Sequence, residues 1–351
     1  MAELADKVHL VGSINLDSVA DVFRTCGKTL GRRLRRIPDG EPGPRRMWVG
    51  WQYSMFISQP GLEADHDITE ATFAYRVYRL AAGTNPAELK FGTLGYAHEA
   101  KASYVDFLAS REAGELPQGI KFQVCLPTPY AVVTVFCRGR SMHAGRDVLA
   151  IEAAYTQAML RELAKICTTI PHSDLAIQWD VCLEMLAWDG QSKAFVPSDL
   201  HDLENELVTR MKRLCEAVPS DVDVGVHLCY GDPDGRHLVE PLDTAKEVTF
   251  ANAIASSLTR PLTFLHMPVP INRFDPEFYR PLTNLKLSPA TEFYLGLVHP
   301  DGKENMRKRL ELADEYVSGY GIASECGISR ARTRELTMNF LQAYSDNSRE
   351  P

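Results

Sequence analysis

The chain has 351 residues and carries 38 Lys and Arg against 46 Asp and Glu, a formal net charge of −8. Its 24% charged and 45% hydrophobic residues exclude an intrinsically disordered chain and supply enough apolar material for a large core. The acidic balance argues against a nucleic-acid partner, whose phosphates require clustered Lys and Arg, and no run of about 18 apolar residues is present to span a membrane.

The N-terminal MAELADKVHLVGS matches neither a signal peptide nor an Arg-rich transit peptide. The expectation is a cytoplasmic protein that acts on a small molecule, as a monomer or a homo-oligomer. The eight cysteines, in a chain this long without a secretory signal, read as reduced thiols.

Short β-rich runs alternate with helical stretches along the chain. The runs are HLVGSI (9–14), RRIPDGE (35–41), KFQVCLPTP (121–129), LAIQWDV (175–181), DVGVHLCY (223–230), LTFLHMP (262–268), FYLGLVHP (293–300) and GIASECG (321–327). Between them, SVADVFRTCGKTLGRRL, DVLAIEAAYTQAMLRELAKIC, SDLHDLENELVTRMKRLCEAV and KENMRKRLELADEYVSGYG carry apolar residues at helical spacing. Pro197-Ser198-Asp199 reads as a helix start.

Eight strands alternating with helices predict a (β/α)8 TIM barrel of the α/β class, with function at the C-terminal strand ends. A doubly wound open sheet is the competitor, but neither Gly-x-Gly-x-x-Gly nor a Walker-type Gly-Lys-Ser/Thr is present. About 80 residues separate the second run from the third. This aromatic-rich stretch includes a further strand candidate, LKFGTLGY. The chain reads as a single domain, 1–351, in which residues 45–118 make an excursion over the barrel mouth.

Polar residues cluster at the predicted strand ends: Ser13, Glu41 with Asp39, Asp180, His227, Cys229, His266, His299 and Cys326. His227 and Cys229 are two apart on a strand and face the same side, so an imidazole and a thiolate converge as a metal requires. Alone, His-x-Cys more often marks a buried Cys beside a satisfied His; Cys326 and His266 at neighbouring strand ends strengthen it. Asp180 suits an acid, a base or an amine-binding carboxylate, against the plainer reading of a loop or capping Asp. Glu41, in PDGEPGP, reads first as a turn carboxylate. Trp48, Trp51, Tyr53 and Tyr130 suit a pocket wall, though such residues are more often core. GRRLRR (31–36) reads as a solvated helix end rather than a phosphate patch.

The order of these motifs resembles the C-terminal catalytic barrel of cobalamin-independent methionine synthase, in the superfamily that includes uroporphyrinogen decarboxylase. VGS (11–13) is similar to the first-strand Ile-Gly-Ser of that family, and DGEPGPRRMWVGW (39–51) to its His-Gly-Glu segment. IQWD (177–180) resembles its Ile-Gln-Ile-Asp-Glu-Pro, VHLCY (226–230) its zinc-binding His-x-Cys strand, YLGLVHPDG (294–302) its seventh strand and ECGISR (325–330) its Asp-Cys-Gly.

The resemblance implies a zinc-dependent methyl- or alkyltransferase acting on a thiol. His227, Cys229 and Cys326 match zinc ligands, while Ser13, Glu41 and Asp180 match the residues that hold an amino acid. The family's fourth ligand is a Glu. The corresponding strand here offers His266, so either His266 completes a formally neutral Cys2His2 site or zinc has been abandoned, and four strand-end positions favour the former. Val181 and Cys182 replace the family's Glu-Pro, and His299 replaces the seventh-strand Asp as a candidate proton relay. The chain lacks the N-terminal half that binds polyglutamyl folate in the long synthases, which argues against a folate donor. It carries no cobalamin-binding motif. The alternatives are a zinc-dependent lyase or hydrolase on the same fold, a metal-free decarboxylase using the Arg-rich segment, or a non-catalytic ligand binder.

Overall fold

In this computed structural model, residues 7–67, 73, 75–138 and 147–348 are described. Ten strands are present among them: β1 (Val8–His9), β2 (Arg36–Pro38), β3 (Leu62–Ala64), β4 (Tyr78–Leu80), β5 (Lys121–Pro127), β6 (Leu175–Val181), β7 (Asp223–Leu228), β8 (Phe264–Pro268), β9 (Glu292–Val298) and β10 (Gly321–Ser324). Eight of them form one all-parallel sheet in the order β1-β10-β9-β8-β7-β6-β5-β2. A parallel bridge between Val8 and Leu34 brings its two edges together. Helices connect the strands, and the whole is the (β/α)8 barrel expected from the alternation. No helix among the described residues is long and apolar enough to cross a membrane.

The strands are buried apolar runs, as a sheet covered by helices demands. The helices turn apolar stripes inward. In Val19–Leu30, Val22, Phe23, Cys26 and Leu30 are buried, and the Ser18 hydroxyl caps the first turn by accepting from the Asp21 N–H at 3.2 Å. This helix runs so close to the Glu115 carbonyl that a Cβ on Gly27 would lie 2.1 Å from its oxygen.

Three local expectations are corrected. LKFGTLGY forms no strand. Its backbone is satisfied by side chains: Glu162 accepts from the Leu94 and Ala97 N–H groups at 3.2 and 2.8 Å, and Arg161 donates to the Phe91 carbonyl at 2.6 Å. The strands of this region are instead the antiparallel pair β3 and β4. The helix expected from Pro197-Ser198-Asp199 begins only at Leu203, because Asp199 pairs with Arg138, Nη2 to Oδ2 at 3.0 Å.

The basic run GRRLRR is a solvated helix end as expected at Arg32 and Arg35, but its last residue is not in solvent. Arg36 lies at the N-terminal end of the barrel, 3% exposed, donating to Glu292 at 2.7 Å with its guanidinium 4.1 Å from the centre of the Phe264 ring. Removing one partner of a buried ion pair strands the other charge. Arg36→Leu is therefore expected to lower the unfolding free energy by about 3 kcal/mol, and adding Glu292→Leu to restore most of it. Urea denaturation of both variants checks this, and equal losses in the single and double variants would refute it.

Above Arg36, the barrel interior is polar. His9 Nε2 donates to Gln178 Oε1 at 2.8 Å, and Gln123 donates to the Leu10 carbonyl at 3.1 Å. The next residues towards the C-terminal ends lie in register, Asp180 opposite His227 and His227 opposite His266.

Candidate metal and substrate site

A cavity of about 270 Å³ opens at the C-terminal ends of the strands. Its polar lining comes from Ser13, Glu41, Asp180, His227, Cys229 and Cys326, with Cys182, Asp232 and Arg330. Met47, Trp48, Val49, Phe73 and Tyr75, from the long segment between β2 and β5, line it as well. Residues far apart in sequence thus meet because each follows the end of a barrel strand.

One candidate donor atom from each of His227, Cys229 and Cys326 lies within 4.8 Å of the others, and all three residues are buried. The two sulfurs are 3.6 Å apart. The Gly231 N–H donates to Cys229 Sγ at 3.3 Å, and Arg330 Nη2 to Cys326 Sγ at 3.5 Å. Contact with its neighbour and burial raise each thiol well above its ordinary value: for Cys229 the hydrogen bond with Cys182 leads, for Cys326 the one with Cys229. Buried, mutually opposed thiols become thiolates when a cation is supplied.

Burial, then the nearby His266, holds His227 well below its usual pKa, so it is a neutral imidazole, the form able to ligate a metal. Its Nδ1 is engaged, and its Nε2 is buried without a hydrogen-bond partner. A buried nitrogen of this kind beside two thiols fits a zinc-type donor set.

His266 lies outside this trio. Its Nδ1 is 2.7 Å from His227 Nδ1, and burial lowers its own pKa to about 3. Two neutral rings in this contact share one proton. Were His227 to ligate a metal through Nε2, its Nδ1 would carry the hydrogen and donate to His266. Direct pairing of β7 and β8 sets the two rings side by side, so that His266 meets His227 but is not one of the three converged donors, and its Nε2 is also buried without a hydrogen-bond partner. Such outer partners typically tune affinity by about 10–100-fold. His266→Ala is expected to weaken zinc binding by about that factor while keeping its stoichiometry, measured by chelator competition. A lost equivalent of zinc would instead mark His266 as a ligand.

On the other side of the cavity, Glu41 and Asp180 face each other's charge. Burial and then Asp180 and Asp39 raise Glu41 to about 8. Burial raises Asp180 to about 7 despite a 2.8 Å hydrogen bond from Gln178. Glu41 adopts a positive φ of 51°, held by its N–H donating to Asp39 at 2.9 Å. Asp39 itself is consumed by Arg45 and Ser103, each at 2.7 Å. Ser13 packs against Gly327, where a Cβ would come within 2.2 Å of its hydroxyl. The glycine after Cys326 is what permits that approach.

His299 does not line the cavity. Its Nε2 meets the Val269 carbonyl at 2.8 Å, and burial lowers it to about 3, so it is a buried structural imidazole. Tyr130 is core, and Trp48 alone of the four singled-out aromatics lines the cavity. Arg330, Asp232 and Cys182 were not singled out from the sequence as site residues. Arg330 and Cys182 flank recognised motifs, so their position one turn or one residue beyond a strand end was the available signal. Asp232 is fixed by Arg332 at 2.7 Å.

No protein-family model and no curated protein matches the chain. Two solved structures match it along almost its whole length. One is a B12-independent methionine synthase from Shewanella sp. W3-18-1 in complex with selenomethionine, with a TM-score of 0.61, 12% identity, and coverage of 98% of this chain and 97% of that one. The other is a putative vitamin-B12-independent methionine synthase from Listeria monocytogenes, with a TM-score of 0.57, 14% identity, and coverage of 99% and 98%. At these identities the likeness establishes architecture: the chain has the barrel fold of the B12-independent methionine synthase structures.

Proposed function

We propose that this protein is a zinc-dependent methyl- or alkyltransferase whose acceptor is the thiol of a small, amine-bearing substrate. The observation that carries this reading is the buried His227–Cys229–Cys326 cluster sharing one cavity with the Glu41–Asp180 pair. Three protein donors leave a fourth position towards the cavity, as catalytic zinc sites do. Zinc held there supplies the positive charge that keeps a sulfur ionised at neutral pH. Glu41 and Asp180 hold the ammonium group, and Ser13 donates to or accepts from the rest of the amino acid. The substrate thiolate attacks the methyl carbon, the carbon–donor bond breaks, and its electron pair leaves with the donor.

The Shewanella structure is of a complex with selenomethionine, which agrees with an amino acid as the ligand. Trp48, Phe73 and Tyr75, from the segment between β2 and β5, line the cavity as well. Among the described residues, Arg330 is the one Arg or Lys that lines the cavity, and it is engaged by Cys326 and the Asp232 carbonyl. That speaks against an anionic decarboxylase substrate cradled by arginines, and GRRLRR ends at the opposite end of the barrel. A lyase or hydrolase reading draws on Asp180, whose pKa of about 7 suits an acid–base group.

The test is elemental analysis of purified, untagged protein, followed by titration with homocysteine and with methionine. About one zinc per chain and preference for the free thiol support the transferase. Failure to take up zinc when it is offered would discard it, and zinc uptake without any preference for a thiol would favour the lyase or hydrolase.

A further inference from the structure

The three-donor cluster has a neighbour that its motifs do not announce. Cys182 is the first residue beyond β6. The register of β6 on β7 pairs Asp180 with His227 and Val181 with Leu228, so its next step sets Cys182 opposite Cys229. The Cys229 N–H donates to the Val181 carbonyl at 3.0 Å, which ties these two chain ends together. Cys182 is 4% exposed, lines the same cavity, and its side chain meets that of Cys229. Its sulfur lies outside the 4.8 Å set, so it has to move to join the other three donors.

The other polar groups around the cluster are partly engaged. His266 is bonded to His227 through Nδ1, Asp232 to Arg332 through Oδ2 and Asp180 to Gln178, although His266 Nε2 and Asp232 Oδ1 have no partner, and of these neighbours Cys182 is the one with a sulfur to add to the cluster. We propose that Cys182 is the fourth protein donor of the metal centre, giving a set of three cysteine sulfurs and one histidine nitrogen. The proposal rests on the metal reading above.

Charge supports this choice. Two thiolates and a neutral imidazole around a divalent ion sum to zero, and a third thiolate brings the site to one net negative charge. That is the charge of a set with two cysteines, a histidine and a glutamate, the set the resemblance implied and this sequence lacks. Arg330, with Nη2 at 3.5 Å from Cys326 Sγ, stands beside the cluster to balance the added charge. Softer, sulfur-rich surroundings select zinc, cobalt or cadmium over magnesium or calcium. A small thiol entering the cavity would meet Cys182 at the position it occupies, so the two compete for it.

The experiment replaces zinc by Co²⁺ in the full chain and reads the sulfur-to-cobalt charge-transfer absorption, alongside chelator competition for zinc. Cys182→Ser is expected to lower that absorption by about one third, since three thiolates become two, and to weaken zinc at least about tenfold. Cys215→Ser, a buried cysteine of the helix Leu203–Glu216, is expected to change neither. Should Cys182→Ser fold poorly, Cys182→Ala removes the sulfur without burying a hydroxyl and is read the same way.

Unchanged absorption and affinity in the Cys182 variants, with wild type binding metal through two sulfurs, would overturn this proposal and leave the transferase reading intact. A wild-type chain that takes up neither metal would overturn both.

Discussion

Cys229→Ser and Cys326→Ser are each expected to abolish stable zinc binding, with affinity falling by at least about 100-fold, beyond the range of an outer-shell change. The reason is geometric. The two sulfurs are 3.6 Å apart and, with His227, are the donors already converged on one point, so losing either breaks that set even where Cys182, outside it, can contribute. A serine hydroxyl is a poor replacement because it stays protonated at neutral pH. Cys215→Ser is the control: it is buried in a helix away from the cavity. Elemental analysis and a chelator titration measure the effect, with thermal melts to monitor folding. Equal loss from all three variants would mean that fold damage has been mistaken for ligation.

The second large effect is on pH. Glu41 and Asp180 have pKa values raised to about 8 and about 7, first of all by burial. Near pH 6 both are mostly protonated; near pH 8.5 both are mostly ionised and repel each other. An ammonium ligand needs the ionised pair. Binding of an amine-bearing thiol is therefore expected to tighten as pH rises from about 6 to about 8, and Glu41→Gln or Asp180→Asn to flatten that rise.

The ligand-free protein follows the opposite course. A carboxyl whose folded pKa is raised binds protons that the unfolded chain has already released, so stability is greatest in the lower part of this window and falls as pH rises through 7 to 8. A saturating amine ligand offsets that fall. Calorimetric titration at three pH values and melting curves with and without ligand measure both signs. Affinity that is independent of pH, or a ligand-free protein that gains stability up to pH 8, would show that the pair does not meet an ammonium group.

Much of this was legible in the residues alone. Strands such as LAIQWDV and FYLGLVHP announced a parallel barrel because a sheet covered on both faces must be apolar nearly throughout. His227 and Cys229 declared a shared direction through their spacing of two, which is a property of any strand. Cys326, nearly a hundred residues on, was legible through the resemblance of ECGISR.

What the sequence alone determined is the set of groups that arrive at one end of the barrel, because each follows a recognisable strand. What only the tertiary structure decided is how those groups are divided. The pairing of β7 with β8 turns His266 onto His227, and the end of β9 brings His299 onto the Val269 carbonyl. Arg36 goes to the opposite end of the barrel, where Glu292 and the Phe264 ring receive its buried guanidinium. Spacing along one strand fixes direction within that strand. The register between strands decides which side chains touch, and that register is set by the packing of the whole barrel.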